Sequence, residues 1–426
     1  MANLAQLEAA SKDLSTALGE IQSHYRYGET DSLGARPPQV LPTGVPPEVH
    51  RARESALASL NRLQVMLAEP TDLLKNLASH VQLLASIQWL GEYQVPACIP
   101  LEGTALVKDI SNLIGVSESQ LIRVIRMATT GGFLQEPQPG YVSHSEISAV
   151  FVTKPSYLDA AMFLAETAAP AALTMGTGIG HDSDSDERKD GVSCLSPFAT
   201  AREAKLPRLQ RQWPAYLRYG TGHVCDTATD VLTCLEGIRT VNESTVVEVG
   251  ARSTERAITL ANQYPSLHFI VQLQSPRNDR LPPPNPKITI SHRQPGSPQS
   301  ISTAALYILN FPYPMPGPSA ASTSTLFAAE LRAHLPVLRL NRSATLVVIA
   351  PSTSELDEEV RLTRVRDLSL LQLARQRELR LPEVVNVLNG VSDGEGRMVL
   401  VNQVRSVEKH GVIALEVKYQ PHEYVR

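Results

Sequence analysis

The stretch Val246-Val247-Glu248-Val249-Gly250-Ala251-Arg252-Ser253 decides the fold class. Its valines make a short buried strand, Glu248 places an acid near the strand end, and Gly250 opens the turn into a following helix. A strand, an acid, a first glycine and a helix are how a Rossmann-type domain presents its backbone to a nucleotide cofactor. The pattern then breaks. Where a second and a third glycine would let a cofactor lie against the main chain stand Arg252 and Thr254, whose Cβ atoms and bulk oppose that approach. The stretch predicts a cofactor-type scaffold whose cofactor loop has lost its working glycines.

Downstream, short apolar runs recur at Thr245–Val249, His268–Gln272, Lys287–Ser291, Ala305–Leu309 and Thr345–Ala350, separated by helical or proline-rich stretches. That alternation predicts a doubly wound α/β sheet. Met398–Val401 and Ile413–Tyr419 read as a terminal antiparallel pair, reached after a helix over Glu355–Gln376. This Rossmann-like domain is expected over 244–426.

Upstream the texture is helical. Leu4, Leu7, Leu14, Leu18, Ile21 and Tyr25 form one amphipathic stripe. The stretch up to residue 47 ends in a linker carrying Pro37, Pro38, Pro42, Gly44, Pro46 and Pro47, which cannot continue a helix. Leucines at helical spacing from Glu48 to Trp89, broken at Pro70, predict two long helices. Within 48–151, the rhythm of Leu106–Ile110, Gly115, Leu121–Ile125, Gly131-Gly132-Phe133 and Tyr141-Val142 predicts a winged helix. Residues 152–243 are expected as a helical connector. It contains an acidic loop at 176–197, which lacks the glycine and terminal glutamate spacing of a calcium-binding loop.

Charge narrows the function. Within 101–150, Lys108, Arg123 and Arg126 face Glu102, Asp109, Glu118, Glu136 and Glu146. A recognition helix that meets phosphates should not sit in a net-acidic module, so no direct DNA binding is expected. The chain of 426 residues carries a net charge of −4 with both signs interspersed, which gives no general field for nucleic acid. Its four cysteines, Cys98, Cys194, Cys225 and Cys234, stand far apart, and the histidines are scattered without ligand spacing, so no metal site is expected. No stretch approaches the roughly 20 apolar residues that span a bilayer.

The order of elements resembles the S-adenosylmethionine-dependent O-methyltransferases of fungi and plants, with a helical and winged-helix dimerisation half before a class I methyltransferase-type half. Leu41–Glu48, Arg211-Gln212-Trp213-Pro214-Ala215-Tyr216-Leu217, Val249–Thr254 and Glu330-Leu331-Arg332-Ala333-His334-Leu335 are similar, more closely, to the aflatoxin-cluster co-activator family of filamentous fungi. That resemblance implies a transcriptional co-activator of a polyketide gene cluster, in nucleus and cytoplasm, working with a zinc-cluster transcription factor; the Leu4–Tyr25 stripe and the paired helices of 48–89 predict a homodimer through the N-terminal half.

Three departures from the enzyme pattern favour the co-activator. Arg252 and Thr254 crowd the cofactor loop. After the next strand, where these enzymes hold the ribose hydroxyls with an acid, the chain has Gln272-Leu273-Gln274. Replacing that carboxylate by an amide costs about 1.5–3 kcal/mol of cofactor binding. At the family's base position, Ile308-Leu309-Asn310-Phe311 offers Asn310, which has no titratable acceptor near neutral pH. Glu378 matches the acid that would orient a histidine base, and with the histidine gone it is expected to have nothing to orient. Glu248 and Gly250 remain as vestiges of the cofactor site. No cofactor and no catalytic residue are expected. The alternatives are a polyketide-pathway cyclase or pericyclase that keeps the pocket, and a working O-methyltransferase that uses S-adenosylmethionine.

Overall fold

Two prolines frame the start of the helical half. Pro47 opens α2 (Pro47–Leu67) and Pro70 opens α3 (Pro70–Glu92), each in the first turn, where its missing N–H removes no helical bond. The computed structural model describes residues 4–28, 45–175, 206–222, 232, 244–251, 253–273, 285–312, 321–351, 357–374, 376–405 and 412–422. The chain divides into two compact units, the first comprising 1–173 with 207–220 and the second 174–206 with 221–426.

In the first unit α1 (Leu4–Gly28) packs on α2. Their buried residues are mostly small: Ala10 and Ala17 on α1, Val49, Ala52, Ala56 and Ser59 on α2. Leu7, Leu14, Ile21 and Tyr25 of the leucine stripe are half-buried on the same helical face as those alanines, while Leu4, 69% exposed, and Leu18, 43%, lie outside the contact. Next come α4 (Val95–Cys98), β1 (Ala105–Leu106), α5 (Val107–Ile114), α6 (Glu118–Thr130), β2 (Leu134–Gln135) and β3 (Tyr141–His144). Gly115, at φ 72°, ends α5 in the left-handed region. The three strands form an antiparallel sheet in the order β1-β3-β2, and Val107, Ile110, Leu121, Ile125, Phe133 and Val142 share one core.

The unit closes with α7 (Glu146–Thr153), α8 (Pro155–Phe163), a π-helical turn (Leu164–Ala168), α9 (Ala169–Leu173) and α10 (Leu206–Gly220). Phe163 packs on Trp213 and Tyr216 at ring distances of 5.6 and 5.2 Å. These aromatic contacts tie α8 to α10, so the described helices of the expected connector 152–243 belong to the first unit. The acidic loop 176–197 lies outside the described residues.

The second unit holds β4 (Thr245–Ala251), α11 (Glu255–Gln263), β5 (His268–Leu273), β6 (Ile288–His292), β7 (Leu306–Asn310), α12 (Thr323–Leu340), β8 (Thr345–Pro351), α13 (Asp357–Ala374), α14 (Leu381–Asn389), β9 (Gly396–Arg405) and β10 (Val412–Pro421). Its seven-stranded sheet runs β6-β5-β4-β7-β8-β10-β9. The first five strands are parallel; β10 is antiparallel to β8 and to β9. α11 covers one face through Ala257, Leu260 and Ala261. α12 and α14 cover the other through Phe327, Leu331, Leu338, Val384 and Leu388. Each fully buried leucine of this kind contributes about 1.5–3 kcal/mol. Helix α14, absent from the sequence-based expectation, starts at Leu381-Pro382 and buries only Val384 and Leu388.

Candidate functional site

The strand order reverses between β4 and β7, and in an open parallel sheet the crevice outside that reversal is where ligands bind. Alternation along β4 turns Val247 and Val249 to the α12 face and Val246 and Glu248 to the α11 face. Asn310 ends β7 beside them, one step beyond the pair Val249 and Leu309. Gly250 has φ 68°, and the pairing of β4 with β5 slips between Val249 and Ala251. A residue with a side chain would pay about 1–2 kcal/mol for that conformation, which explains why a glycine stands at the bulge.

Helix α11 begins four residues after the bulge, so the second residue of its first turn looks into the crevice. That residue is Arg256, 3% exposed. Its Nη1 donates to Asn310 Oδ1 at 2.8 Å and lies 3.4 Å from Glu248 Oε1. Asn310 Nδ2 donates to Val249 O at 3.1 Å and to Glu248 Oε1 at 3.4 Å. Glu248 is 3% exposed and Asn310 7%, so acid, amide and guanidinium form one buried knot across the strand ends. Only this orientation of the Asn310 amide serves both a donor and an acceptor neighbour. An arginine cannot give up its proton, and an amide has none to exchange near neutral pH. The knot holds charge in place and moves none.

A second buried network lies on the α12 face. Gln272 and Gln299 exchange two amide bonds, each 3.0 Å. Gln299 Nε2 also reaches His334 Nε2 at 3.3 Å, and His334 Nδ1 lies 2.7 Å from Glu330 O. A carbonyl can only accept, so Nδ1 carries the proton and Nε2 accepts from Gln299. Burial pushes the His334 ring down to about 4, with Arg293 adding to the shift and the Glu330 carbonyl and carboxylate opposing it. Glu330 in turn takes Arg293 Nη1 at 2.9 Å and the Gly296 amide at 2.5 Å. Tyr307 meets His334 edge-on at 5.7 Å and donates to Ile301 O at 2.6 Å; burial raises its hydroxyl to about 12.

Glu378 corrects an expectation. It has a group to hold: Arg366 Nε donates to Glu378 Oε1 at 2.7 Å, while Arg366 Nη1 donates to Thr221 O at 3.2 Å. Burial raises the Glu378 carboxyl and the arginine opposes the rise. The structure thus brings Glu248 and Asn310 together, and binds Gln272 and Glu378 into separate networks. Arg252 and Gln274 lie outside the described residues. Among the described residues no cluster of His, Cys, Asp and Glu could hold a metal ion, and no helix is long and apolar enough to cross a membrane.

A nucleoside cofactor of the methyl-donor type needs open backbone at the strand ends and an acceptor for its ribose hydroxyls. Arg256 fills the first place and occupies Glu248, and Gln272 spends its amide on Gln299. These residues do not fit that cofactor. Sequence reasoning missed Arg256 and Gln299. Arg256 had a signal, since a base in the first turn of the helix and an acid at the preceding strand end face one crevice. Gln299 sits in an aperiodic proline- and serine-rich stretch that gave none.

Residues 4–68 match the family described as the trypacidin cluster transcriptional coactivator tpcD N-terminal domain. Over the whole length the chain is 53% identical to the agnestins biosynthesis cluster transcriptional coactivator AgnL9 of Paecilomyces divaricatus, with 99% of each chain covered. It is 42% identical to the monodictyphenone cluster transcriptional coactivator mdpA of Emericella nidulans, again covering 99% of each. The chain belongs to this family of cluster transcriptional coactivators. The dothistromin biosynthesis regulatory protein aflJ of Dothistroma septosporum, 36% identical over 99% of each chain, ties the coactivators to the aflatoxin-type group that the sequence resembles.

Solved structures share the fold of this chain. LepI in complex with SAM has a TM-score of 0.66 at 13% identity, covering 96% of this chain and all of that one. OxaC in complex with SAH and oxaline has 0.59 at 14%, with the same coverage. The chain is built on a class I methyltransferase-like fold, and its strand-end chemistry is the Arg256 knot.

Proposed function

We propose that this chain is a non-catalytic coactivator of a polyketide secondary-metabolite gene cluster, acting in the nucleus through contact with a zinc-cluster transcription factor. The observation that carries the non-catalytic part is the buried knot of Glu248, Arg256 and Asn310, which puts a fixed cation where the fold otherwise offers a cofactor crevice. Coactivator relatives at 53% and 42% identity support the regulatory part. The net-acidic stretch 101–150 supports a protein contact over a DNA contact, and Arg126 there is already held by Glu136 at 3.2 and 3.3 Å. A homodimer through the N-terminal half accounts for the exposure of Leu57, Leu60, Leu67, Leu73, Leu74 and Leu77 along α2 and α3.

A gel shift on the cluster promoter tests the proposal. This protein alone leaves the probe unshifted at moderate salt, and addition of the zinc-cluster factor gives a slower complex that contains both. A salt-sensitive shift by this protein alone, weakened by Arg123→Ala and Arg126→Ala, overturns it.

A further inference from the structure

The first unit carries an open cavity of about 490 Å³ that no part of the proposed function uses. Ligand sites commonly measure about 300–1,000 Å³. Its walls come from the end of α3 (Gly91, Glu92), Gln94 and α4 (Pro96, Ala97), the end of α7 (Phe151, Val152), α8 (Leu158, Asp159, Met162) and α10 (Arg208, Arg211, Gln212).

Local sequence explains the construction. Arg208, Arg211 and Gln212 stand three and four residues apart, so they share one face of α10. Arg211 is clamped to Asp159 of α8 at 2.8 and 2.9 Å, and Arg208 to Glu166 at 2.7 Å. Glu166 belongs to the π-helical turn, a departure from α-helix that often marks functional sites. At Gly91 a Cβ would lie 2.8 Å from Met162 Sδ and 3.1 Å from Leu158 Cδ1, so the glycine lets α3 and α8 close the wall.

Two further observations point to a ligand. Gln212 is 2% exposed, lines the cavity, and makes no side-chain hydrogen bond among the described residues. Its amide faces the cleft and offers a donor and an acceptor to whatever fills it, water or ligand. Gln94, at the mouth, has φ 53°, the only positive φ of a residue other than glycine among those described. Such strain collects at ligand sites.

Phe151, Val152, Pro96, Leu158 and Met162 offer flat apolar contact. Arg208 and Arg211 are balanced by Asp159 and Glu92 within the lining, so the cavity as a whole favours no net charge. The clamp with Asp159 uses Nε and Nη2 of Arg211 and leaves Nη1 for an acceptor oxygen. We propose that this cavity binds an uncharged, flat, carbonyl-bearing aromatic molecule, its rings on the apolar wall and its oxygens toward Gln212 and the arginines. A coactivator with such a site takes a small-molecule input in its helical half.

The test titrates 1,8-dihydroxyanthraquinone into the full-length protein by calorimetry, with intrinsic fluorescence alongside. The two tryptophans, Trp89 and Trp213, stand next to cavity-lining stretches and report on occupancy. The expected result is saturable binding in the micromolar range with quenched emission. Ala97→Phe, which puts a ring into the lining from an exposed position, weakens it at least about tenfold, about 1.4 kcal/mol. Gln212→Leu keeps the volume and weakens it roughly threefold to tenfold through one lost hydrogen bond. Anthraquinone-2-sulfonate binds more weakly than the neutral probe. No saturable binding, equal affinity in the wild type and both variants with circular dichroism unchanged, or tighter binding of the sulfonate overturns the proposal.

Discussion

Replacing Arg256 by Met keeps an unbranched side chain of similar length and removes the guanidinium from the strand-end knot. Glu248, 3% exposed, is left as a buried carboxylate without the guanidinium that faces its Oε1, and Asn310 Nδ2 stays at 3.4 Å. Removing one partner of a buried ion pair costs about 3–5 kcal/mol, because the other charge stays uncompensated. Asn310 Oδ1 also loses its 2.8 Å donor, a cost of about 1–3 kcal/mol that overlaps with the first and does not add to it. Adding Glu248→Gln removes the stranded charge, so the double variant lies within about 1–2 kcal/mol of wild type. Hydrogen exchange of the β4 and β7 amides across a urea series reads the local opening energy, which a single global transition of a two-unit chain would blur. A cost under about 1 kcal/mol for Arg256→Met, or a double variant as unstable as the sum of the singles, would refute the knot.

His334 makes the second unit sensitive to acid. Its folded value of about 4 lies below the ordinary 6.5, so its contribution is fully present above pH 6.5 and is lost as pH falls toward 4. The loss across that window is roughly 3 kcal/mol, and His334→Leu flattens the curve there; equal slopes in the two proteins count against it. By NMR the ring of His334 shows no titration between pH 8 and 6. Light scattering at micromolar concentration gives twice the 46.4 kDa chain mass, and a monomer mass contradicts the dimer. Within that dimer, Leu60→Glu and Leu74→Glu together shift the mass to monomer without unfolding, since both side chains are exposed in the single chain, at 50% and 67%.

Much of the α/β half was legible because its strands are continuous apolar runs with sharp boundaries. All five parallel strands and the terminal pair fall on the stretches read from sequence, with ends that move by a few residues. Stripes bounded by Pro47 and Pro70 placed the long helices equally well. The packed face of α1 was legible in part: Leu7, Leu14, Ile21 and Tyr25 of the stripe are half-buried, while Ala10 and Ala17, which bury most deeply between them, give a weaker periodic signal. In the site, Glu248, Gly250 and Asn310 were found from the pattern, while their partners were not. Arg256 lies a loop away from Glu248, and an arginine in the first turn of a helix ordinarily faces solvent. Glu378 was read by analogy as an acid without a ring to hold; that its partner is Arg366 depends on the return of the chain after α13, which no local pattern reveals.

Calorimetric titration of S-adenosylmethionine into the purified full-length protein tests the central claim most directly, because the closed crevice and the non-catalytic function stand or fall together there. With Arg256 seated on Glu248 and Asn310, and Gln272 committed to Gln299, the titration gives no heat of binding at cellular concentrations of the methyl donor. A saturable isotherm with a dissociation constant in the low micromolar range or tighter contradicts the account.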